Sequence, residues 1–292
     1  MKGLFSLLLS SSLVGNVLAK TAGCGKAALT SGSKSITVGS EARQYILKMP
    51  DNYNPNFAYK LIFGLHWRDG DMNAVAQGTT TNGGPQWAYY GLPKYANNTA
   101  IFVSPNGQNK GWANPGGKDM TFITTLMQYL EDNLCIDEHQ RYSTGWSWGG
   151  AMSYSIACSL GTKFRAVAVL SGGLLSGCSG AKDAIPYLGI HGIRDSVVNI
   201  GMGRSARDIF VKNNGCSATS PTEPSRGGLN HIKTEYKGCK EGFPVTWIAF
   251  DGDHLNAPAD GDTSPNGQKT WAPEETWKFF SQFFNSNKTN LA

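Results

Sequence analysis

The sequence predicts an α/β fold with a mostly parallel central sheet and helices on both faces of that sheet. Residues 59–66 and 99–105 are apolar runs of strand length without polar alternation, which is typical of strands buried on both faces. Such runs alternate along the chain with segments of helical spacing. Between them, residues 142–144 lead into Gly-Trp-Ser-Trp-Gly at 145–149, a pattern that joins a strand to a helix through a tight turn.

The first strands follow an N-terminal arm. Residues 20–40 are rich in glycine, serine, threonine and lysine, and they are predicted to lead into a first strand or hairpin. Residues 43–50 alternate in polarity and end at a proline, as an edge strand does. After the turn-forming residues 51–57, residues 59–66 are predicted to form a buried central strand.

The next elements are a short helix, a strand and a long helix. Residues 85–90 are predicted to open the short helix, and residues 99–105 to form the strand. Asp119 is expected to cap the long helix, because aspartate is a preferred N-cap residue. Apolar side chains at helical spacing define one face of this helix: Phe122, Ile123, Leu126, Met127, Leu130 and Leu134.

The C-terminal half continues the alternation of strands and helices. Three more buried strands are predicted, at residues 166–171, 186–191 and 245–250. Helices are predicted over residues 201–213 and from Pro273 to Phe284. Residues 216–239 are polar and rich in turn-forming residues, which predicts a surface insertion. No repeat or linker divides the chain, so we expect one domain over residues 20–292.

The first nineteen residues have the features of a secretory signal peptide. Met1-Lys2-Gly3 is a basic start, residues 4–14 are apolar and serine-rich, and Val17-Leu18-Ala19 supplies small residues before a cleavage site after Ala19. The apolar run is too short to span a bilayer, and no later stretch is long enough. We therefore expect a secreted protein that does not associate with a membrane.

Composition narrows the class of protein further. The 292 residues, 40% of them hydrophobic, are enough for one large domain with a buried core. The net charge of +5 is small and scattered, and no run of basic residues is interleaved with aromatics, so nucleic acid is not expected as a partner. Two glycosylation sequons, at Asn97 and Asn287, are consistent with export.

The cysteines predict three disulfides, because an even number in an exported chain implies pairing. Six remain after the leader: Cys24, Cys135, Cys158, Cys178, Cys216 and Cys239. Cys216 and Cys239 flank the surface insertion and are predicted to close it. Cys135 and Cys158 stand at the ends of successive helices and suggest a second pair, which leaves Cys24 with Cys178, although fifteen pairings are open. The cysteines are not spaced as metal ligands, so no metal is expected.

The Gly-Trp-Ser-Trp-Gly pattern predicts a nucleophile elbow at Ser147. In such a turn the two glycines leave room for neighbouring backbone, and the serine hydroxyl stands above the first turn of the following helix. The Trp148 amide would then face a negative charge that develops on a substrate oxygen. These features indicate a serine hydrolase.

A serine nucleophile needs a base, and His254 is the predicted one. In an α/β-hydrolase fold the order along the chain is serine, acid, histidine, each on a loop after a strand. His254 follows the last strand directly. His231 falls inside the surface insertion, and His191 ends a strand before the candidate acid, which would reverse the order.

The predicted acid is Asp195, which follows the strand at 186–191. Asp251 and Asp253 compete for this role, but they are so close to His254 in sequence that reaching its Nδ1 atom across the loop is awkward. They are expected to shape the turn through side-chain hydrogen bonds to the backbone.

The second oxyanion donor is expected from the loop after the strand at 59–66, where the Trp67 amide is the candidate. His66 is predicted to brace this loop as a structural residue. The side chains of Trp67, Trp148 and Trp112 are predicted to form an aromatic rim, which favours flat or sugar-like ligands. Packing into the core is the competing interpretation for each tryptophan taken alone.

Several motifs in this order resemble those of secreted fungal feruloyl esterases. They also resemble the wider esterase family that includes poly(3-hydroxybutyrate) depolymerases and some acetylxylan esterases. The matching motifs are Leu65-His66, Gly111-Trp112, residues 145–152, His191-Gly192 with Asp195, and Asp253-His254. The likeness covers nearly the whole chain after the leader. One departure is Trp67, which stands where the family often has glycine.

This resemblance implies an α/β-hydrolase fold and an acyl-enzyme mechanism that needs no cofactor. It implies release of ferulic and related hydroxycinnamic acids from sugars of plant cell-wall polysaccharide, and it places the triad at Ser147, Asp195 and His254. We expect a monomer. An acetylxylan esterase or a polyester depolymerase would use the same machinery. A carbohydrate-binding protein on a hydrolase scaffold is the alternative outside enzymes, and an activity-based fluorophosphonate probe would distinguish it, since only an activated serine reacts.

Overall fold

A computed structural model describes residues 19–81, 84–178, 180–262 and 267–284. The strands are β1 Gly32–Val38, β2 Glu41–Lys48, β3 Tyr59–Leu65, β4 Thr79–Thr81, β5 Gly84–Gln86, β6 Ala100–Pro105, β7 Ile136–Trp146, β8 Ala166–Leu170, β9 Tyr187–Gly192, β10 His231–Glu235 and β11 Val245–Phe250. The helices are α1 Met72–Gln77, α2 Leu92–Ala96, α3 Lys118–Asn133, α4 Trp148–Leu160, α5 Ile200–Asn213 and α6 Ala272–Ser281. Short 3₁₀ segments cover Ala88–Gly91, Gln108–Lys110 and Pro115–Gly117.

Nine of these strands form one sheet in the order β1-β2-β6-β3-β7-β8-β9-β11-β10. The six strands from β6 to β11 in this order are parallel, whereas β1, β2 and β10 are antiparallel to their neighbours. The mostly parallel sheet predicted from the sequence is confirmed. The predicted edge strand at 43–50 is β2, but β1 lies outside it, so the interpretation of β2 as an edge was wrong.

Helices cover both faces of the sheet, because successive residues of each strand point to opposite sides. On β3, Phe63 packs in a cluster with Phe122 of α3 and Phe210 of α5. Its neighbour Ile62 packs in the other cluster, with Leu92 of α2. The central strands β3, β6, β8 and β11 are mostly apolar because both of their faces are buried.

Helix α3 confirms the predicted apolar face, since all six side chains of that face are fully or nearly fully buried. The prediction that Asp119 caps this helix was wrong. The cap residue is Gly117, whose φ of 80° suits glycine. Asp119 lies in the first turn, where its carboxylate accepts hydrogen bonds from the Arg43 guanidinium at 2.8 Å and the Asn114 amide at 2.9 Å.

The three disulfides are Cys24–Cys135, Cys158–Cys178 and Cys216–Cys239. The predicted closure of the insertion is therefore confirmed, and the other two predicted pairs are wrong. The N-terminal arm runs beside the start of β7, where the Thr21 amide donates to the Ile136 carbonyl at 3.1 Å. This tertiary contact brings Cys24 close to Cys135. Cys158, at the end of α4, pairs instead with Cys178 in the loop after β8.

Other differences concern segments that the sequence left irregular. The insertion between Cys216 and Cys239 contains β10, which pairs antiparallel with β11 and forms one edge of the sheet. The short helix expected over 85–90 is strand β5 followed by a 3₁₀ turn.

Two predictions concern residues that the structure does not describe. The leader up to residue 18 and the sequon at Asn287 both lie outside the described residues. Within the described ranges, none of the helices has the length and apolar character needed to cross a membrane.

Candidate active site

Ser147 is the single residue between the end of β7 and the start of α4, and its backbone conformation is strained. Its φ is 58° and its ψ is −121°, a region that non-glycine residues rarely adopt. A Cβ on Gly145 would lie 2.4 Å from the Gly149 backbone, and one on Gly149 would lie 2.1 Å from the Leu65 carbonyl oxygen. Both glycines are therefore required by close backbone packing, and the turn has the geometry of a nucleophile elbow.

His254 and Asp195 meet at the same edge of the sheet, because they lie on loops that follow the parallel strands β11 and β9. His254 Nδ1 is 2.8 Å from Asp195 Oδ2, and the carboxylate is fully buried. Asp195 Oδ1 accepts hydrogen bonds from the amides of Val197 at 3.0 Å and Val198 at 2.7 Å. The carboxylate is therefore fixed in position, with one oxygen left for the imidazole.

His191 is a second histidine at this carboxylate, and the sequence analysis gave it no role. Its Nε2 lies 3.2 Å from Asp195 Oδ2 and 2.7 Å from the Val198 carbonyl oxygen, and its side chain is fully buried. Burial opposes ionisation of Asp195, but the hydrogen bonds from His191 and His254 outweigh it and hold the pKa of Asp195 well below its usual range. The lowered pKa favours the ionised form of Asp195.

Ser147 and His254 line one open cavity of about 500 Å³, together with Trp67, Trp146 and Val197. His254 Nε2 is buried and makes no hydrogen bond to any atom of the described residues. In unliganded enzymes the bond between nucleophile and base is often long and tightens in the substrate complex. The nitrogen opposite Asp195 is thus available to a proton from this cavity.

The loop after β3 is braced by His66. The Gly107 amide donates to His66 Nε2 at 2.9 Å, so the ring proton is on Nδ1, which lies 2.7 Å from the Trp67 carbonyl oxygen. Burial lowers the pKa of His66, which favours this neutral form. The predicted bracing role is what the hydrogen bonds show.

Tyr90 connects the ends of the two strands that lead into the site. Its hydroxyl donates to the Leu65 carbonyl at 2.5 Å and accepts from the Trp146 amide at 3.1 Å. Leu65 ends β3 just before the Trp67 loop, and Trp146 ends β7 just before Ser147. The hydroxyl therefore fixes the spacing between the two segments that carry the predicted oxyanion amides.

The three tryptophans predicted as a rim have different surroundings. Trp67 lines the cavity, and its ring packs against that of Trp146 with centroids 5.7 Å apart. Trp112 is fully buried and donates from Nε1 to the His66 carbonyl at 2.8 Å, so its assignment to the rim was wrong. The Trp148 ring packs over Gly111 and does not line this cavity, so it does not form a rim of the cavity with Trp67. A substrate contact from its side chain outside this cavity stays a prediction.

Trp146 takes the place that the sequence analysis gave to Trp148. Its ring is 4.7 Å from that of His254 between centroids, so Trp67, Trp146 and His254 form a continuous aromatic wall. The available signal was its position inside the Gly-Trp-Ser-Trp-Gly motif, directly before the serine. The other triad candidates from the sequence have different partners: His231 pairs with Asp260, Asp251 accepts from Arg194, and Asp253 accepts from Ser196.

Comparison with known proteins identifies the family of this chain. No protein-family model matches the chain. The chain is 46% identical over 263 residues to "Feruloyl esterase C" of Emericella nidulans, covering 90% of this chain and 91% of that protein. It is 43% identical over 284 residues to "Feruloyl esterase D" of Neurospora crassa, covering 96% of each. The chain belongs to the fungal feruloyl esterases. As a member of this family it is a carboxylic ester hydrolase.

Two solved esterase structures have a similar fold. A ferulic acid esterase from Anaeromyces mucronatus, determined in complex with ferulic acid, aligns with a TM-score of 0.57 at 18% identity, covering 88% of this chain and 91% of that chain. An acetyl xylan esterase from Aspergillus awamori aligns with a TM-score of 0.56 at 13% identity, covering 86% and 99%. At these identities the likeness concerns the fold, and the predicted α/β-hydrolase fold is confirmed.

Proposed function

We propose that this chain is a secreted serine esterase that releases ferulic and related hydroxycinnamic acids from sugar esters of plant cell-wall polysaccharides. Ser147 is the nucleophile, His254 the general base and Asp195 the acid that orients it. The observation that carries the assignment is the 2.8 Å contact between His254 Nδ1 and the buried Asp195 carboxylate, in one cavity with an elbow serine. Membership of the feruloyl esterase family supports the choice of acyl group.

In the first half of the reaction, the Ser147 oxygen attacks the ester carbonyl carbon while His254 Nε2 takes the hydroxyl proton. The resulting imidazolium is stabilised by Asp195, whose low pKa keeps it ionised. The tetrahedral intermediate collapses as His254 returns the proton to the sugar oxygen, which leaves as an alcohol. A hydroxycinnamoyl ester of Ser147 remains.

In the second half, water attacks the acyl-enzyme. His254 removes a proton from the water, the new tetrahedral intermediate expels the serine oxygen, and His254 returns the proton to it. The products are the free acid and the regenerated Ser147. The balance needs only water, so the proposed mechanism requires no metal or other cofactor.

The amides of Trp67 and Trp148 are the proposed oxyanion donors. Trp148 opens α4, so its amide belongs to the unpaired donors at the positive end of a helix. Trp67 follows β3 in the loop that His66 and Tyr90 brace. Fixed donors of this kind stabilise the transition state without reorganising during the reaction.

The cavity suits a flat aromatic acyl group. Trp67 and Trp146 supply ring surfaces on one side, and Val197, 69% exposed, supplies an apolar contact on the loop that also carries Asp195. Aromatic rings pack favourably in offset or tilted arrangements, so a cinnamoyl ring gains contacts that an acetyl group does not. The sugar then lies toward the open side of the cavity.

The proposal also includes export and a monomeric state. A leader ending at Ala19, three disulfides and an exposed sequon at Asn97 are consistent with an oxidising extracellular environment. N-terminal sequencing of the protein from culture medium would test cleavage, and Lys20 is the first residue expected. Light scattering would test the oligomeric state.

A panel of esters tests the substrate class. Purified protein is assayed on methyl ferulate, methyl caffeate, methyl sinapate, 4-nitrophenyl acetate and hydroxybutyrate oligomers. We expect the highest kcat/KM on one of the hydroxycinnamates. Preference for acetate or for hydroxybutyrate would keep the triad but refute the feruloyl assignment.

A further inference from the structure

A second cavity, of about 450 Å³, is lined by residues that follow the β4–β5 hairpin and by residues at and before the start of α6. Its walls are mainly rings and aliphatic carbon, from Trp87, Tyr95, Pro93 and Pro273. Trp87 is 50% exposed, unlike Trp112 and Trp247, which are fully buried. The cavity therefore presents an indole surface to the solvent.

The orientation of Trp87 is fixed by a hydrogen bond. Its Nε1 donates to the Gly267 carbonyl at 2.7 Å, and a Cβ on Gly267 would lie 2.9 Å from that nitrogen. The polar atom of the ring is thus already paired within the protein. What remains for a ligand is apolar ring surface held in one place, so binding there costs little side-chain entropy.

The β4–β5 hairpin links residues that line the two cavities. Thr79–Thr81 line the catalytic cavity, and they pair antiparallel with Gly84–Gln86, which lead directly into Trp87. Asn256, two residues beyond His254, donates from Nδ2 to Gln86 Oε1 at 3.0 Å and so joins the hairpin to the histidine loop. Trp87 therefore directly follows β5, which pairs with the cavity-lining strand β4. The hairpin is also hydrogen-bonded to the loop that carries His254.

The lining indicates the chemistry of the ligand. Among the described residues that line the cavity, Lys94 alone is charged at neutral pH, and Gln268 and Thr270 add hydrogen-bonding groups beside the rings. An uncharged chain of sugar rings has apolar C–H faces for stacking on an indole and hydroxyls for such groups. An anionic ligand would find a single cation among these described lining residues.

We propose that the cavity at Trp87 is a subsite for backbone sugars of the polysaccharide whose ester enters the catalytic cavity. This inference rests on the proposed function for the identity of the polymer. Because a single point of attachment fixes the ester only weakly, a second contact on the same chain raises the local concentration of esters at Ser147. Trp87 is a binding residue here and takes no part in the chemistry.

The test separates sugar binding from ester cleavage by using arabinoxylan from which esters have been removed by alkali. Bound fractions of wild type, Trp87→Ala, Trp87→Phe and Phe57→Ala are measured on the insoluble polymer. Phe57 is a matched control, because it is 46% exposed and precedes β3, so it lies at the amino ends of the parallel strands, whereas Ser147 lies at their carboxyl ends. Thermal unfolding and kcat/KM on methyl ferulate are measured for each variant.

We expect Trp87→Ala to bind the polymer about tenfold more weakly, with methyl ferulate turnover unchanged. Trp87→Phe should retain part of the binding, and Phe57→Ala all of it. Equal binding by Trp87→Ala and wild type would overturn the proposal, as would an equal loss in Phe57→Ala. Polymer binding by a wild type that cleaves no hydroxycinnamate would refute the proposed function and leave the subsite standing.

Discussion

Replacing Tyr90 with phenylalanine removes one oxygen atom from the junction between the two segments that carry the proposed oxyanion donors. The ring stays in its buried place, but the Leu65 carbonyl and the Trp146 amide lose the hydroxyl that bridges them. A buried backbone group without its partner costs about 1–3 kcal/mol. For the two groups together we expect the free energy of unfolding to fall by roughly 2–4 kcal/mol. This is toward the lower end of the range because a carbonyl oxygen has a second lone pair.

The expected effect on catalysis follows from the same geometry. Loss of an oxyanion donor lowers kcat by about 10²–10³ in serine hydrolases, and Tyr90→Phe displaces the donors without removing them. We therefore expect kcat on methyl ferulate to fall roughly tenfold or more, with KM changed less than about threefold, because the lost interaction acts in the transition state. The melting temperature should fall by about 5–10 °C.

Tyr89→Phe is the matched control. Tyr89 is the preceding residue, is equally buried and also has a positive φ, but its hydroxyl has no hydrogen-bond partner among the described residues. Removing that hydroxyl should leave kcat unchanged and stability equal or higher. Steady-state kinetics and calorimetry on both variants decide the matter. An unchanged kcat in Tyr90→Phe, or an equal loss in Tyr89→Phe, would refute the bridging role.

Three further variants test the triad acid, the loop and the elbow. Asp195→Asn should lower kcat by about 10⁴ while the fold persists, because the amide favours the wrong imidazole tautomer; near-normal turnover would contradict this. The pKa of His66 is lowered in the folded state, so the unfolded chain binds the extra proton below about pH 6.5 and stability falls there as pH drops. The melting-temperature advantage of wild type over His66→Gln should therefore shrink between pH 7 and pH 5, and a constant difference would contradict it. Gly149→Ala should abolish activity, since its Cβ would lie 2.1 Å from the Leu65 oxygen; an active, stable variant would show that the elbow relaxes.

The sheet was predictable because its signal is local. Residues of β3, β6, β8 and β11 are apolar at successive positions, and this pattern specifies strands buried on both faces whatever their neighbours are. The candidate triad could be predicted from the sequence for a related reason. Parallel strands end at a common edge, so residues that directly follow them are brought together there.

The features that could not be predicted from the sequence depend on contacts between segments that are distant along the chain. Trp112 is buried because its loop closes over His66, and Cys24 meets Cys135 because the N-terminal arm runs beside β7. Nothing in the neighbouring residues of either position specifies these contacts. Tyr90 shows the same limit, since its hydroxyl acts on two strands that are distant in sequence.

The most direct test of the account is turnover by Ser147→Ala. Wild type and variant are compared on methyl ferulate, with calorimetry to establish that both are folded, and with labelling by a fluorophosphonate probe. The account predicts that the variant loses at least about 10⁴-fold in kcat, keeps its melting temperature within a few degrees, and takes no label. A folded variant that still hydrolyses methyl ferulate at a rate near that of wild type would show that Ser147 is not the nucleophile.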